Sequence, residues 1–365
     1  MQGRLTARGC SKSWAMTQNS HRFSYRWRLA DGFPAPGVTP NGRKVFGTFV
    51  CGGGSAMGYK LAGFDYLGGV EIDPKVAAIY ADNLKPRHLY VEDIRDFNKR
   101  EDLPAELYNL DILDGSPPCT LFSLNRGRKR EDSWGKTKKF AEGQKEQTLE
   151  DLPFVWCDTV AKLRPKVCLM ENVEGLVKGG AKAYCSNIIW KLGRAGYDAQ
   201  LFVLDAQFMG VPQRRRRVFI IGRRRDLGLP RVELNFQEPV IPFSEIEDKE
   251  YIGHDYDLGP VCKTYWEHLK PGDTSLGDGA RALRKTSRFS VGLADLSVPL
   301  PTICTNRPAL KHKPRYMTDK EVIRGGGFPE DYNFKKTRAD YLIGMSVPPM
   351  MTANIAYEIN RQMFK

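Results

Sequence analysis

The sequence predicts an α/β protein: a doubly wound, mostly parallel sheet with a second, smaller domain. Three observations predict it. From residue 45 short apolar runs alternate with segments of helical spacing, the pattern of strands joined by crossover helices. A glycine-rich stretch, Phe49–Gly58 (F-V-C-G-G-G-S-A-M-G), separates the first strand from the first helix, where main-chain N–H groups can approach a ligand. After Gly222 the alternation stops, and residues 223–306 become rich in Pro, Gly and charge.

Each element follows from its own pattern. Val45–Val50 reads as a buried strand and Ser55–Ala62 as its helix. Leu67–Ile72 is the second strand, and Pro74 opens a helix carrying Val76, Ile79 and Tyr80 at helical spacing. His88–Val91 and Leu110–Leu113 are the third and fourth strands. Leu149–Leu163 is helical, Val167–Met170 is the fifth strand and Ala181–Ala195 is helical. Leu201–Leu204 and Val218–Ile221 complete the sheet. Helical spacing returns near Thr318–Ile323 and Met350–Met363. The chain therefore divides into four parts: a basic, poorly ordered segment over 1–44, a nucleoside-binding domain over 45–222, a small domain over 223–306, and a C-terminal segment over 307–365.

Composition narrows the function classes. The 365 residues suffice for a large core, and no apolar stretch is long enough to span a bilayer. The eight cysteines form no C-x-x-C pair, which argues for a reduced, cytosolic protein rather than a disulfide framework or zinc site. The net charge of +13 suits a polyanionic partner. Residues 1–44 hold eight basic residues against the single acid Asp31. That stretch reads as an arm, although its composition alone does not exclude a transit peptide. Further basic clusters lie at Arg126–Arg130, Lys136–Lys139, Arg214–Arg217, Arg223–Arg225 and Lys311–Arg315.

The chemistry concentrates at strand ends. Asp114–Cys119 reads D-G-S-P-P-C after an apolar strand. Pro117 and Pro118 stiffen the approach to Cys119, and ligands of open α/β sheets bind outside the carboxyl ends of the strands. Cys119 is the candidate nucleophile, activated by nearby arginines. Glu71 closes the second strand 19 residues after Gly52, where a carboxylate can accept hydrogen bonds from ribose hydroxyls. This spacing suits a nucleoside cofactor without separating NAD from S-adenosylmethionine. Asp93 is another strand-end acid, able to meet an adenine amino group or to serve as a surface turn. Glu171-Asn172-Val173 follows the fifth strand and puts a carboxyl group on the edge that carries Cys119, for acid or hydrogen-bonding work. In Gln213–Arg217 (Q-R-R-R-R), alternation sends Arg215 and Arg217 to one face and Arg214 and Arg216 to the other.

Six motifs in this order resemble those of the DNA (cytosine-5)-methyltransferases of bacteria and phages, from about residue 45 to 365. They are the glycine turn, D-G-S-P-P-C, E-N-V, Q-x-R-x-R, the segment Arg315–Pro329 (R-Y-M-T-D-K-E-V-I-R-G-G-G-F-P) and the terminal G-x-x-V-P-P of Gly344–Pro349. The resemblance implies a Rossmann-like S-adenosylmethionine-dependent methyltransferase, with residues 223–306 as target recognition domain. It implies methyl transfer from S-adenosylmethionine to carbon 5 of a flipped-out cytosine in a specific duplex DNA sequence, through a covalent Cys119 adduct. Glu171 would hydrogen-bond the ring, Arg215 would make a further contact in the pocket and Arg217 would support the site. Phe49, Gly52, Gly54, Glu71, Ile72 and Asp93 would line the cofactor site, with Pro118 and Val347 close by. No metal would be needed. The protein would be a cytoplasmic monomer, bacterial or phage-encoded, with no membrane contact and with a restriction endonuclease acting separately as a conceivable partner. A transfer-RNA cytosine-5 methyltransferase on the same scaffold and a non-catalytic DNA-binding relative are the alternatives. The chain departs from the family pattern at four places: Cys51 stands for a usual Gly, Thr120 for Gln, Gly325–Gly326 for Leu-Gln, and Met345–Ser346 for Asn-Ala or Asn-Ser.

Overall fold

The structure is a computed structural model, and it describes residues 21–118, 149, 151–283, 291–304 and 306–364. The sheet strands are β1 (Lys44–Thr48), β2 (Asp65–Val70), β3 (His88–Tyr90), β4 (Ile112–Gly115), β5 (Val167–Val173), β6 (Tyr197–Asp205) and β7 (Arg216–Arg224). Their spatial order is β3-β2-β1-β4-β5-β7-β6. Five strands pair in parallel, and β7 runs antiparallel to both β5 and β6. The ten residues between β6 and β7 are too few for the helical crossover that a parallel return demands, so β7 enters the sheet as a hairpin partner. The chain reverses its winding between β1 and β4, where Val45 pairs with Ile112 and Thr48 with Gly115. That is the switch-point crevice where such sheets bind ligands.

Strand alternation sends Val45, Ile112, Val167 and Leu169 to one core and Phe46, Leu113, Cys168 and Met170 to the other. The first core is covered by α1 (Gly54–Leu61) and α2 (Pro74–Leu84). The second is covered by α3 (Ile94–Lys99), α4 (Leu152–Leu163) and α5 (Ala181–Arg194). A smaller domain carries α6 (Pro260–Glu267), α7 (Leu276–Ala282) and the parallel pair β8 (Leu293–Ala294) and β9 (Ala309–Leu310). The chain then returns through α8 (Asp319–Gly326), α9 (Ala339–Met345) and α10 (Pro349–Met363), which pack on the first core. No helix among the described residues is long and apolar enough to cross a membrane.

Two expectations are corrected here. Residues 21–43 are not a loose tail: Phe23, Tyr25 and Trp27 are buried in the first core, and the main chain is pinned at Ala35 by Leu61 and at Asn41 by Gly63. Irregular backbone without periodicity hid three buried aromatics. The small domain also has different bounds. Val232, Ile241, Phe243 and Ile246 belong to the large core. The separate apolar cluster runs from Leu258 to Ala309, with Tyr316 against it. Spaced single apolar residues in a Pro-rich stretch carry no period by which to assign them.

Where the small domain rejoins the body, Arg315 makes a bidentate pair with Glu321 (2.8 and 2.9 Å), and Glu321 is fully buried. The same carboxylate accepts from the main-chain N–H groups of Asp248 and Thr318. Removing it strands a buried cation and two donors. Glu321→Ala should therefore lower unfolding stability by about 3–5 kcal/mol in a denaturant titration.

Candidate active site

The carboxyl edge of β1, β4 and β5 gathers most of the residues singled out in the sequence. Glu171 lies inside β5 rather than after it, because Glu171, Asn172 and Val173 continue the ladder against Phe219, Val218 and Arg217 of the antiparallel β7. That extra pairing sets Arg217 beside Glu171, with Nε 3.1 Å from Oε1 and both side chains largely buried. The next residue, Asn172, donates from its side-chain amide to the carbonyl of Pro117 at 3.1 Å. One dipeptide thus supplies a buried carboxylate and grips the proline turn two residues ahead of Cys119. Cys119 and Thr120 themselves lie outside the described residues.

Alternation around β7 distributes the four arginines as the sequence predicts: Arg214 and Arg216 are exposed, Arg215 and Arg217 turn inward. The two inward side chains do different work. Arg215 is buried and donates to the carbonyls of Ile303, Gly344 and Ser346, each at 2.9 Å. Burial first, and the Arg217 cation second, push its pKa down. Its hydrogen bonds run to main-chain carbonyls, so Arg217 is the arginine that stands beside the candidate acid. The preceding Gln213, which opens the Q-x-R-x-R motif, is 1% exposed, donates to Gly325 and accepts from the Ile303 N–H.

The glycine turn joins β1 to α1. Cys51 holds φ +46°, a left-handed conformation that costs a non-glycine residue about 1–2 kcal/mol, which gives a physical reason for a glycine at that position. Its main-chain N–H donates to Glu71 (2.9 Å), and the Ser346 hydroxyl reaches its sulfur at 3.6 Å. Gly52 and Gly54 are buried against the C-terminal segment, where an added Cβ at Gly54 would lie 1.9 Å from the carbonyl oxygen of Val347. Glu71 spends one lone pair on Cys51 and another on the Asp73 N–H, leaving acceptor capacity for hydroxyls. Burial pushes its pKa up. Phe49 and Ile72 are half-buried at the same edge, as is Pro118 beyond β4. Asp93 caps α3 through the Arg95 N–H (2.8 Å) and pairs with the Arg95 guanidinium at 3.0 Å. A carboxylate for vicinal hydroxyls beside half-buried apolar side chains fits an adenosine group.

One buried acid was not anticipated. Asp114 shares its sheet face with Glu171 and is 3% exposed. It takes hydrogen bonds from Ser55 and from the Tyr59 hydroxyl, the latter at 3.4 Å. Burial, with the Glu171 carboxylate adding to it, pushes Asp114 up to about 7 from its ordinary 3.8. In the sequence it reads as part of a turn, and only the β1–β4 register reveals that it points inward.

A parallel-sheet crevice with a glycine turn, a hydroxyl-accepting acid and a second edge bearing an arginine-paired carboxylate defines a nucleoside-cofactor enzyme of the α/β class. The comparisons make this specific. The family model for the C-5 cytosine-specific DNA methylases matches residues 44–270 and 263–361. The chain is 32% identical to the type II methyltransferase M.NgoPII of Neisseria gonorrhoeae, over 88% of this chain and 95% of that one. It is 27% identical to M.HindV of Haemophilus influenzae, over 84% and 93%. In fold it is similar to the crystal structures of S. pombe Dnmt2 methyltransferase (TM-score 0.59, 16% identity, 88% and 98% covered) and of Spodoptera frugiperda DNMT2 (0.60, 17%, 88% and 100%). The chain belongs to the C-5 cytosine-specific DNA methylase family, and is a DNA (cytosine-5)-methyltransferase of the restriction-modification type.

Asp114 generates a prediction. Its folded pKa lies above the unfolded value, so the stability it contributes is complete below about pH 4 and is lost as pH rises through about 7. Asp114→Asn should remove that dependence and leave the variant more stable than the parent at pH 8, by on the order of 3–4 kcal/mol, with little difference at pH 4. Denaturant titrations at both pH values would measure it.

Proposed function

We propose that this enzyme methylates carbon 5 of a flipped-out cytosine in a specific duplex DNA sequence, with Cys119 as covalent nucleophile. The observation that carries the reading is the Asn172 bond to the Pro117 carbonyl, because it ties the Cys119 turn to the strand that bears Glu171. A base inserted at this edge meets the Glu171 carboxyl group, and the chain leads from the gripped proline turn directly into Cys119. Attack of the thiolate on carbon 6 makes carbon 5 nucleophilic, and Glu171 stabilises the charge that develops on the ring through ring nitrogen 3 and the amino group. Arg217 orients Glu171 and completes the polar wall. Arg215 acts one step back, holding the Gly344–Ser346 main chain against the cofactor turn.

Glu71, Phe49 and Ile72 would hold the adenosine portion of S-adenosylmethionine, with Gly52, Gly54, Pro118 and Val347 shaping the remainder and Asp93 at the rim. When bound, S-adenosylmethionine supplies an electrophilic methyl group on its sulfonium. Loss of the carbon 5 proton then lets the Cys119 bond to carbon 6 break. The exposed Arg214 and Arg216 suit phosphate contacts, which set affinity without reading sequence.

Incubation with methyl-labelled S-adenosylmethionine and either duplex DNA or transfer RNA tests the substrate: label is expected in DNA, and label confined to transfer RNA would sink the reading. Cys119→Ser should lower methyl transfer by at least about a thousandfold while retaining duplex binding, since loss of a nucleophile removes the covalent route. Bisulfite sequencing of DNA from cells expressing the chain should reveal one methylated sequence motif.

A further inference from the structure

Residues 21–31 precede the stretch matched by the family model, which begins at residue 44, yet they are built into the catalytic body. One end sits on α10: Arg22 pairs with Glu358 at 3.0 Å and lies over the Tyr357 ring. The other end sits on the turn after α8. The Trp27 indole N–H donates to the Gly327 carbonyl at 3.0 Å, and the Trp27 carbonyl accepts from the Glu330 N–H at 3.0 Å. Asp331 accepts from the main-chain N–H groups of Leu29 (2.6 Å) and Ala30 (3.0 Å).

The far side of the same turn touches the cofactor loop. The hydroxyl of Tyr332, 5% exposed, donates to the carbonyl of Gly52 at 2.7 Å. Its ring packs in a three-ring cluster with Phe328 and Phe334, with centroids 5.3 and 4.7 Å away. Asn333 then binds Asn83 and Asp82 at the end of α2. The turn is held from behind by the strap and presses one hydroxyl onto the glycine turn.

We propose that residues 21–31 are a positioning strap for the cofactor turn, with Trp27 and Asp331 acting through the 327–334 turn and the Tyr332 hydroxyl on Gly52. The inference rests on the reading of that turn as the S-adenosylmethionine site. Without the strap the turn keeps its contacts to α2 but loses its backing, and the Gly52 carbonyl gains freedom that binding must remove. The effect falls on cofactor affinity rather than on the cytosine chemistry, because Glu171 belongs to β5 and pairs with Arg217 rather than with the 327–334 turn.

Trp27→Phe keeps an aromatic ring and deletes the N–H; Tyr332→Phe deletes only the hydroxyl. By calorimetric titration of the full chain, each should weaken S-adenosylmethionine binding about threefold to tenfold, the worth of one hydrogen bond. KM for S-adenosylmethionine should rise in step, with kcat at saturation and duplex affinity unchanged. The double variant should weaken binding by less than the product of the two, since both act through one turn. Arg22→Ala, at the other end of the strap, should lower Tm and leave cofactor affinity alone. Wild-type cofactor affinity in both Trp27→Phe and Tyr332→Phe would overturn the proposal, as would Arg22→Ala weakening cofactor binding as much as they do. A wild-type protein that binds no S-adenosylmethionine would overturn the site assignment together with the strap; one that binds normally beside unchanged variants overturns the strap alone.

Discussion

The close approach of two main-chain segments nearly 300 residues apart governs the catalytic half of the molecule. The Val347 carbonyl occupies the space of a side chain at Gly54, and the Pro349 carbonyl lies 2.5 Å from the corresponding position at Gly58. Only glycine permits such contact, and it seats α10 directly on α1. Bringing those segments together carries a loop-closure cost that grows only slowly with the length of the intervening chain. The apolar residues of α9 and α10, Leu342, Met350, Met351 and Ile355 among them, offset it by complete burial. The contact places Ser346 against Cys51 and brings the Gly344 and Ser346 carbonyls within reach of Arg215.

That closure explains why two inward arginines on neighbouring alternate positions differ so much. A buried guanidinium must be satisfied or it destabilises the fold. The two terminal nitrogens of Arg215 bond carbonyls from the small-domain return and the C-terminal segment, leaving only Nε without a partner among the described residues, so it joins parts of the chain. Arg217 is paired with Glu171, so it is tied to the candidate acid. The hairpin insertion of β7 makes both outcomes possible, because only an antiparallel neighbour pairs Val173 with Arg217 and carries Arg215 beyond the strand end.

Much of this was legible in the sequence, for identifiable reasons. Buried parallel strands announce themselves as continuous apolar runs, and Leu110–Leu113 and Val167–Met170 were located by that signal alone. Glycines, prolines and strand-end acids mark the crevice because their chemistry depends on local chain geometry. The apolar run Val218–Ile221 does not itself show the antiparallel course of β7; the short connection from β6 dictates it, and the apolar runs understate how far both strands extend into that connection. Asp114 was hidden because its burial comes from pairing with β1, where Gly47 stands opposite and the Tyr66 hydroxyl fills the space a side chain would take. Residues 21–43 give no periodic signal, because apart from the short turn Leu29–Asp31 they lie outside helices and strands, and long-range packing alone buries Phe23, Tyr25 and Trp27.

The departures from the family pattern make sense once volume is considered in pairs. At Gly325 an added Cβ would lie 2.4 Å from Leu300, and at Gly326 the same distance from Ile343. Larger residues at these positions would need smaller neighbours, so the space is filled from the opposite side and the packing is conserved in total. Cys51 is accommodated differently. Its left-handed backbone is strained, but the thiol gains the Ser346 hydroxyl and the N–H gains Glu71. The departures at Cys51, Gly325 and Gly326 are thus each matched by a neighbour in contact, Ser346, Leu300 and Ile343, on segments that the closure of α10 on α1 or the return of the small domain brings into place.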